Sequence, residues 1–109
     1  MGHDISGFNK AGDEIAYARF SMGNHNAFVL YNLLNANDYY AGASGSGDDS
    51  TISVQQIEKA LNEFNQIYNN VSSRSKSAFL AWDQKQIHDF IINCLATAQK
   101  EGSVKVLFA

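Results

Sequence analysis

Proline is absent from the 109-residue chain, and cysteine occurs once, at Cys94. A single cysteine excludes an internal disulfide, and Cys94 falls on the apolar side of the last predicted helix, which is typical of a buried structural thiol. No run of about eighteen apolar residues occurs, so the sequence predicts no membrane-spanning helix. The first residues lack the basic start and apolar block of a signal peptide, and we therefore expect a cytoplasmic protein.

Basic residues are scarce: 8 Lys and Arg stand against 11 Asp and Glu, which gives a net charge of −3 at pH 7. Since the basic residues do not cluster, the sequence argues against nucleic-acid binding, which requires groups that neutralise phosphates. The negative charge is concentrated in residues 1–50, which hold six acids and two basic residues. The length predicts a single domain over residues 1–109, large enough to bury about two thirds of its unfolded surface.

The clearest helix is predicted from Ile52 to Val71, where apolar residues recur at spacings of three and four. Ser53 and Gln56 stand at the two positions of a capping box at its start. An earlier helix is expected from Asn24 to about Asn35, with Asn24 or Ser21 as its cap.

The last helix repeats these start signals. Asp83 and Gln86 form a second capping box, and Trp82 and Ile87 occupy the positions of a hydrophobic staple. The pattern predicts that this helix begins at Asp83 and stops at Gly102.

Strands are predicted on both sides of the helical part. A short segment from Ile5 to Phe8 and an alternating one from Glu14 to Met22 indicate a hairpin, in which Ala16, Ala18, Phe20 and Met22 face the core. Residues 104–109 alternate again and are expected to join this hairpin. The predicted fold class is α+β, with a small three-stranded antiparallel or mixed sheet packed against three to four helices. Residues 37–51 are expected to form a flexible Gly/Ser/Asp loop.

No known signature of a cofactor or metal site is present. Gly42, Gly45 and Gly47 lack the Gly-Lys-Ser ending of a P-loop and the spacing of a dinucleotide fold. The acids of the loop lack the alternation of an EF-hand, and His3, His25 and His88 lack zinc-ligand spacing. We therefore expect no cofactor and no metal.

The sequence also shows no catalytic motif. Ser44, Ser46 and Cys94 are candidate nucleophiles by residue type alone, because no nucleophile elbow surrounds them. No catalytic residue is assigned, and an enzyme is the least favoured class.

Two sets of residues are candidates for binding. Tyr39, Tyr40, Asp48 and Asp49 combine aromatic rings with negative charge on the loop and are predicted to contact a protein partner. Tyr17, Arg19 and Trp82 are the alternative, as the lining of a small-molecule pocket, because arginine beside aromatic rings is typical of binding hot spots.

The opening Met1-Gly2-His3-Asp4-Ile5-Ser6-Gly7, with Glu14-Ile15-Ala16-Tyr17 and Ser21-Met22-Gly23-Asn24, resembles small bacterial and bacteriophage proteins that have no assigned function. The likeness extends to Tyr40-Ala41-Gly42-Ala43-Ser44-Gly45 and covers about the first half of the chain. It implies a small cytoplasmic protein, located in the host cytoplasm if a phage encodes it. No catalytic residue carries over from these proteins.

Two hypotheses follow from these observations. The first is a non-enzymatic protein-interaction module, such as a phage-encoded inhibitor of a host protein, that binds through the acidic and aromatic loop. The second is a protein that binds a nucleotide or metabolite in a pocket between the sheet and the helices. A homo-oligomer is compatible with both.

Overall fold

A computed structural model describes the backbone of residues 2–42, 44–72 and 78–109, and the side chains of residues 2–42, 44–66 and 84–109. Within these residues the chain forms an α+β domain with four strands, three α-helices and one 3₁₀-helix. In chain order the elements are β1 (Gly2–Phe8), β2 (Glu14–Ser21), α1 (His25–Leu33), the 3₁₀-helix (Asn37–Tyr39), β3 (Asp48–Ser53), α2 (Val54–Ser72), α3 (Ala78–Glu101) and β4 (Ser103–Phe108).

The four strands form one antiparallel sheet in the order β2-β1-β4-β3. The last strand pairs with the N-terminal hairpin, as predicted, and this pairing puts β1 and β4 at the centre. The predicted number of three strands is too low, because β3 was taken for the end of a loop. Ile52 is the only buried residue of β3, so the segment shows no alternation that would reveal a strand.

Side chains alternate across the sheet, and the helices pack against one of its faces. Ala16, Ala18 and Phe20 of β2 are buried on that face, which confirms the predicted core set for these three residues. Met22, the fourth member of the set, is 58% exposed because β2 ends one residue before it. The opposite face of the sheet carries mainly polar and half-buried side chains, and we refer to it as the open face.

Two helices begin at the predicted caps. The Asn24 side chain accepts a hydrogen bond from the Asn26 backbone N–H at 2.9 Å and starts α1. Ser53 Oγ accepts from the Gln56 N–H at 3.2 Å at the start of α2. Gln56 does not complete the capping box, since its side-chain amide lies 3.4 Å from the carbonyl oxygen of Leu33. The cap therefore also attaches α2 to the end of α1.

The third helix begins earlier than predicted. α3 starts at Ala78, so Asp83 lies within the helix and is not its N-terminal cap. The side chains of Trp82 and Asp83 lie outside the described residues. The predicted stop is confirmed: Gly102 has φ +90° and its N–H bonds the Ala98 carbonyl. Of the helices described, none is long and apolar enough to cross a membrane.

Candidate functional site

The segment from residue 37 to 51, which we expected to be a loop, is paired with the rest of the protein along much of its length. It begins with the 3₁₀-helix, contains a β-bridge between Tyr40 and Gly45, and ends within β3. The Gly45 N–H donates to the Ala109 carbonyl at 3.1 Å, and the Gly47 N–H donates to the Phe108 carbonyl at 2.7 Å. These backbone bonds attach the segment to the end of β4.

The two tyrosines of this segment pack inward. Tyr39 stacks on Phe108, with ring centroids 4.9 Å apart and an interplanar angle of 11°. Tyr40 stacks on His3 at 5.0 Å and contacts Tyr31 edge-on at 5.3 Å. Both tyrosines are half-buried. Their rings therefore attach the segment to the core, and only part of each ring is accessible to a partner.

His3 is fully buried and contacts three residues of this region, Tyr31, Tyr40 and Gly42. Its Nε2 lies 3.0 Å from the Gly42 carbonyl oxygen, which can only accept a hydrogen bond, so Nε2 carries the proton. In the neutral imidazole Nδ1, 3.0 Å from the Tyr31 hydroxyl, then accepts from that hydroxyl. Burial raises the pKa of Tyr31 to about 12, which keeps the hydroxyl protonated as the donor at neutral pH.

Sequence reasoning treated His3 only as an isolated candidate ligand. The signal that it missed is the two-residue spacing from His3 to Ile5, which places the imidazole on the buried face of β1. Within the described part of the chain, no three His, Cys, Asp or Glu residues lie close enough to hold a metal ion.

The other groups considered for chemistry are separated from one another. Cys94 is buried, and desolvation raises the pKa of its thiol to about 12, so it stays a neutral thiol rather than a nucleophilic thiolate. His88 lies 3.6 Å from Asp89, and Asp89 pairs with Lys85 at 2.8 Å on the exposed side of α3. The hydrogen bond from Lys85 holds the pKa of Asp89 below its usual value.

The acidic residues of the predicted site lie at the surface, at the start of β3. Asp48 and Asp49 are both exposed. The Asp48 carboxylate accepts from the Ser46 hydroxyl at 3.1 Å, and the Asp49 carboxylate lies 3.5 Å from the Lys105 ammonium. Within this segment the structure thus separates the two kinds of residue, since the tyrosine rings are half-buried and the carboxylates are exposed.

β3 is an edge strand, and no other strand of the described residues pairs with its outer side. The pairing of Asp48 with Phe108 and the hydrogen bond from the Val54 N–H to the Gly102 carbonyl fix the register of the strand on β4. Backbone groups of an antiparallel strand point alternately to its two sides, so those of Asp49 and Thr51 point away from β4. Neither residue's outward N–H has a hydrogen-bond partner among the residues that the structure describes.

The other edge of the sheet, at β2, is partly closed by a side chain. Gln86 of α3 accepts from the Arg19 N–H at 2.7 Å and donates to the Arg19 carbonyl at 3.1 Å. One amide side chain thus completes both outward backbone bonds of this residue. The β2 edge thus has a side chain bound to its outward backbone groups, and the structure shows no such side chain at Asp49 or Thr51 among the described residues.

Tyr17 and Arg19, predicted to line a pocket, lie on the open face of the sheet. The Tyr17 hydroxyl donates to Asp4 Oδ1 at 2.5 Å, and this bond raises the pKa of Tyr17 above its usual value. An Arg19 guanidinium nitrogen lies 3.7 Å from the same oxygen. Both side chains thus lie on the same side of the sheet as Asp4, away from the buried face that packs on the helices. The Trp82 side chain lies outside the described residues.

Comparisons of the chain with protein-family models, with curated proteins and with solved structures find no significant match.

Proposed function

We propose that this protein is a non-catalytic interaction module that binds an extended, basic segment of another protein along the outer side of β3. The observation that supports this proposal best is the difference between the two sheet edges. At β2 the Gln86 amide occupies the outward backbone groups of Arg19, whereas the outward N–H groups of Asp49 and Thr51 have no hydrogen-bond partner in the described part of the chain. An open edge accepts a further strand through main-chain hydrogen bonds.

The charge of this edge favours a basic partner. Asp48 and Asp49 are exposed on consecutive residues, and the chain as a whole carries a net charge of −3. Carboxylates at the binding edge attract lysine and arginine side chains and speed up their encounter. A second copy of this chain is a less suitable partner, since pairing β3 with β3 would bring four carboxylates together.

The tyrosines support this surface from beneath. Tyr39 and Tyr40 stack on Phe108 and His3, so they hold the segment that precedes β3 in place. In this proposal the predicted acidic and aromatic surface is still the binding surface. Its carboxylates contact the partner, and its tyrosine rings hold the carboxylates in position. An inhibitor encoded by a phage could use such an edge to cover a basic segment of a host protein.

The proposal is tested by titrating the ¹⁵N-labelled protein with a short peptide of alternating lysine and valine. We expect the amide signals of Asp49 and Thr51 to shift, and binding to weaken with added salt. Replacing Asp48 and Asp49 together by Asn should weaken binding about tenfold, because exposed ion pairs contribute about 0.2–1 kcal/mol each. The control for a general effect of charge is Glu14→Gln, which removes one charge at the opposite edge of the sheet.

A second pair of variants tests the main-chain bonds. Thr51→Pro removes one outward N–H while leaving the bonds to β4 in place, because proline is tolerated at that side of an edge strand. Thr51→Val keeps the N–H and serves as the control. We expect only the proline variant to lose the peptide. Equal binding by both variants, or by a peptide of alternating glutamate and valine, would contradict strand addition at this edge.

A further inference from the structure

A cleft of about 360 Å³ lies at one end of the open face, where three parts of the chain meet. Phe8 and Lys10 come from β1 and the turn that follows it, Thr51 comes from β3, and Glu101 comes from the end of α3. Ser103 and Lys105 of β4, with Asn9 and Gly12 of the turn after β1, complete the lining. The volume is within the range of small-molecule sites.

The register of the strands places side chains of different chemical character next to one another in this cleft. Lys105 pairs across β4 with Phe8 on one side and with Thr51 on the other. An apolar ring, an ammonium group and a hydroxyl therefore follow one another in a row on the open face. This order offers a planar apolar surface directly beside groups that donate hydrogen bonds.

The charge of the lining is opposite to that of the whole protein. Two of the 8 basic residues of the chain, Lys10 and Lys105, line the cleft. Glu101 is the one acid in the lining, and its Oε1 accepts a hydrogen bond from the Lys10 backbone N–H at 2.8 Å. The lining itself thus holds two ammonium groups against one carboxylate in a protein of net charge −3, and ammonium groups attract anions.

We propose that this cleft binds a small carboxylate that carries a planar apolar group. Lys10 and Lys105 neutralise the carboxylate, Thr51 and Ser103 donate hydrogen bonds to it, and the planar group lies against Phe8. This site does not depend on a peptide at the β3 edge. It also differs from a pocket between the sheet and the helices, since its β4 residue Lys105 projects from the open face.

Asp49 makes the proposal distinguishable from strand addition. Its carboxylate lies 3.5 Å from the Lys105 ammonium, so it competes with a bound anion for that group. Asp49→Asn should therefore strengthen the binding of a small carboxylate about threefold while it weakens the binding of a basic peptide. If the variant does not change the binding of the carboxylate, its effect on the binding of the peptide can still be measured, and the reverse also holds.

The test is an NMR titration with benzoate, with benzamide as the neutral probe of the same shape and inorganic phosphate as an anion without a ring. We expect benzoate to shift the signals of Phe8, Thr51 and Lys105 with a dissociation constant of about 1 mM, and the other two probes to bind at least about tenfold more weakly. Lys105→Met should weaken benzoate binding about tenfold. Lys59→Met, which removes an exposed lysine of α2, is the matched control and should have no effect.

Three results would overturn the proposal. The first is no shift at benzoate concentrations roughly tenfold above the expected dissociation constant. The second is binding of benzamide as tight as that of benzoate, which would show that the lysines play no part. The third is an equal effect of the Lys59 and Lys105 variants, which would indicate a general response to net charge.

Discussion

Gly7 of β1 lies directly against the thiol of Cys94 in α3: a Cβ atom added to Gly7 would be 2.9 Å from Sγ and 3.2 Å from the Cβ of Ala16. Cys94 is fully buried, so its sulfur has little room to move away. The close approach of the helix to the sheet at this point therefore depends on a residue without a side chain.

Replacing Gly7 by Ala should lower the free energy of unfolding by about 1–3 kcal/mol, because the added methyl group overfills the contact with Cys94. Urea denaturation measures the change. In the double variant with Cys94→Ala the sulfur is gone, so the two effects should be clearly less than additive. Strict additivity would show that the two side chains do not share this space.

Stability should fall with rising pH above about pH 9. Burial raises the pKa of Cys94 from 9.0 to about 12, so the folded state retains a proton that the unfolded state releases. The unfolding free energy should therefore decrease by up to about 1.4 kcal/mol per pH unit once the pH exceeds the unfolded value. Between pH 9 and 10 most of this slope should come from Cys94, because Tyr31, whose pKa rises from 10.0 to about 12, adds its own loss mainly above pH 10. Cys94→Ala should be less stable at neutral pH but should lose most of the slope between pH 9 and 10. A slope that is unchanged in this variant would assign the effect to another group.

The bond between Tyr31 and His3 should contribute measurably to folding. Tyr31→Phe leaves the buried Nδ1 of His3 without its donor, which costs about 1–3 kcal/mol. Tyr17→Phe is the matched control, since it removes a hydroxyl that bonds Asp4 on the exposed open face, and should change the unfolding free energy by less than about 0.5 kcal/mol. Thermal or urea denaturation of both variants gives the comparison. A loss in the Tyr31 variant no greater than in the control would contradict the role of His3.

Gln86 should protect the β2 edge. Gln86→Leu keeps the size of the side chain but leaves the Arg19 N–H and carbonyl without their partner, so we expect a loss of about 1–2 kcal/mol and an increased tendency to aggregate. Gln99→Leu adds the same apolar group at an exposed position of the same helix and serves as the control. Light scattering after mild heating distinguishes the two. Equal aggregation would attribute the effect to surface hydrophobicity alone.

The parts of the fold that sequence predicted are those in which burial follows one regular period. Ile57, Ala60 and Phe64 of α2 are buried at helical spacing, and Ala16, Ala18 and Phe20 of β2 are buried at strand spacing. Each pattern is set by a single neighbouring surface, so it can be read locally. Tyr68 and Val71, the last members of the α2 pattern, have side chains outside the described residues.

The candidate site was predicted less well, because its geometry comes from contacts between distant residues. Nothing near Tyr40 in the sequence indicates that its ring stacks on His3, and nothing near Asp48 indicates a strand, since β3 gains its register from β4. The start of α3 was misplaced for a similar reason: Gln86 serves the backbone of Arg19, 67 residues away, instead of a local capping box.

The central pairing of β1 with β4 has a consequence for how the chain acquires its fold. Ile5 pairs with Phe108, so the centre of the sheet joins residues near opposite ends of the 109-residue sequence. Topologies of this kind have a high contact order. The entropy cost of bringing the two distant strands together must be met before their hydrogen bonds and packing stabilise the fold. β1 and β2 can form a hairpin early, but β3 has no neighbour until β4 arrives. We therefore expect the β3 edge, with Asp48 and Asp49, to form in the final step of folding.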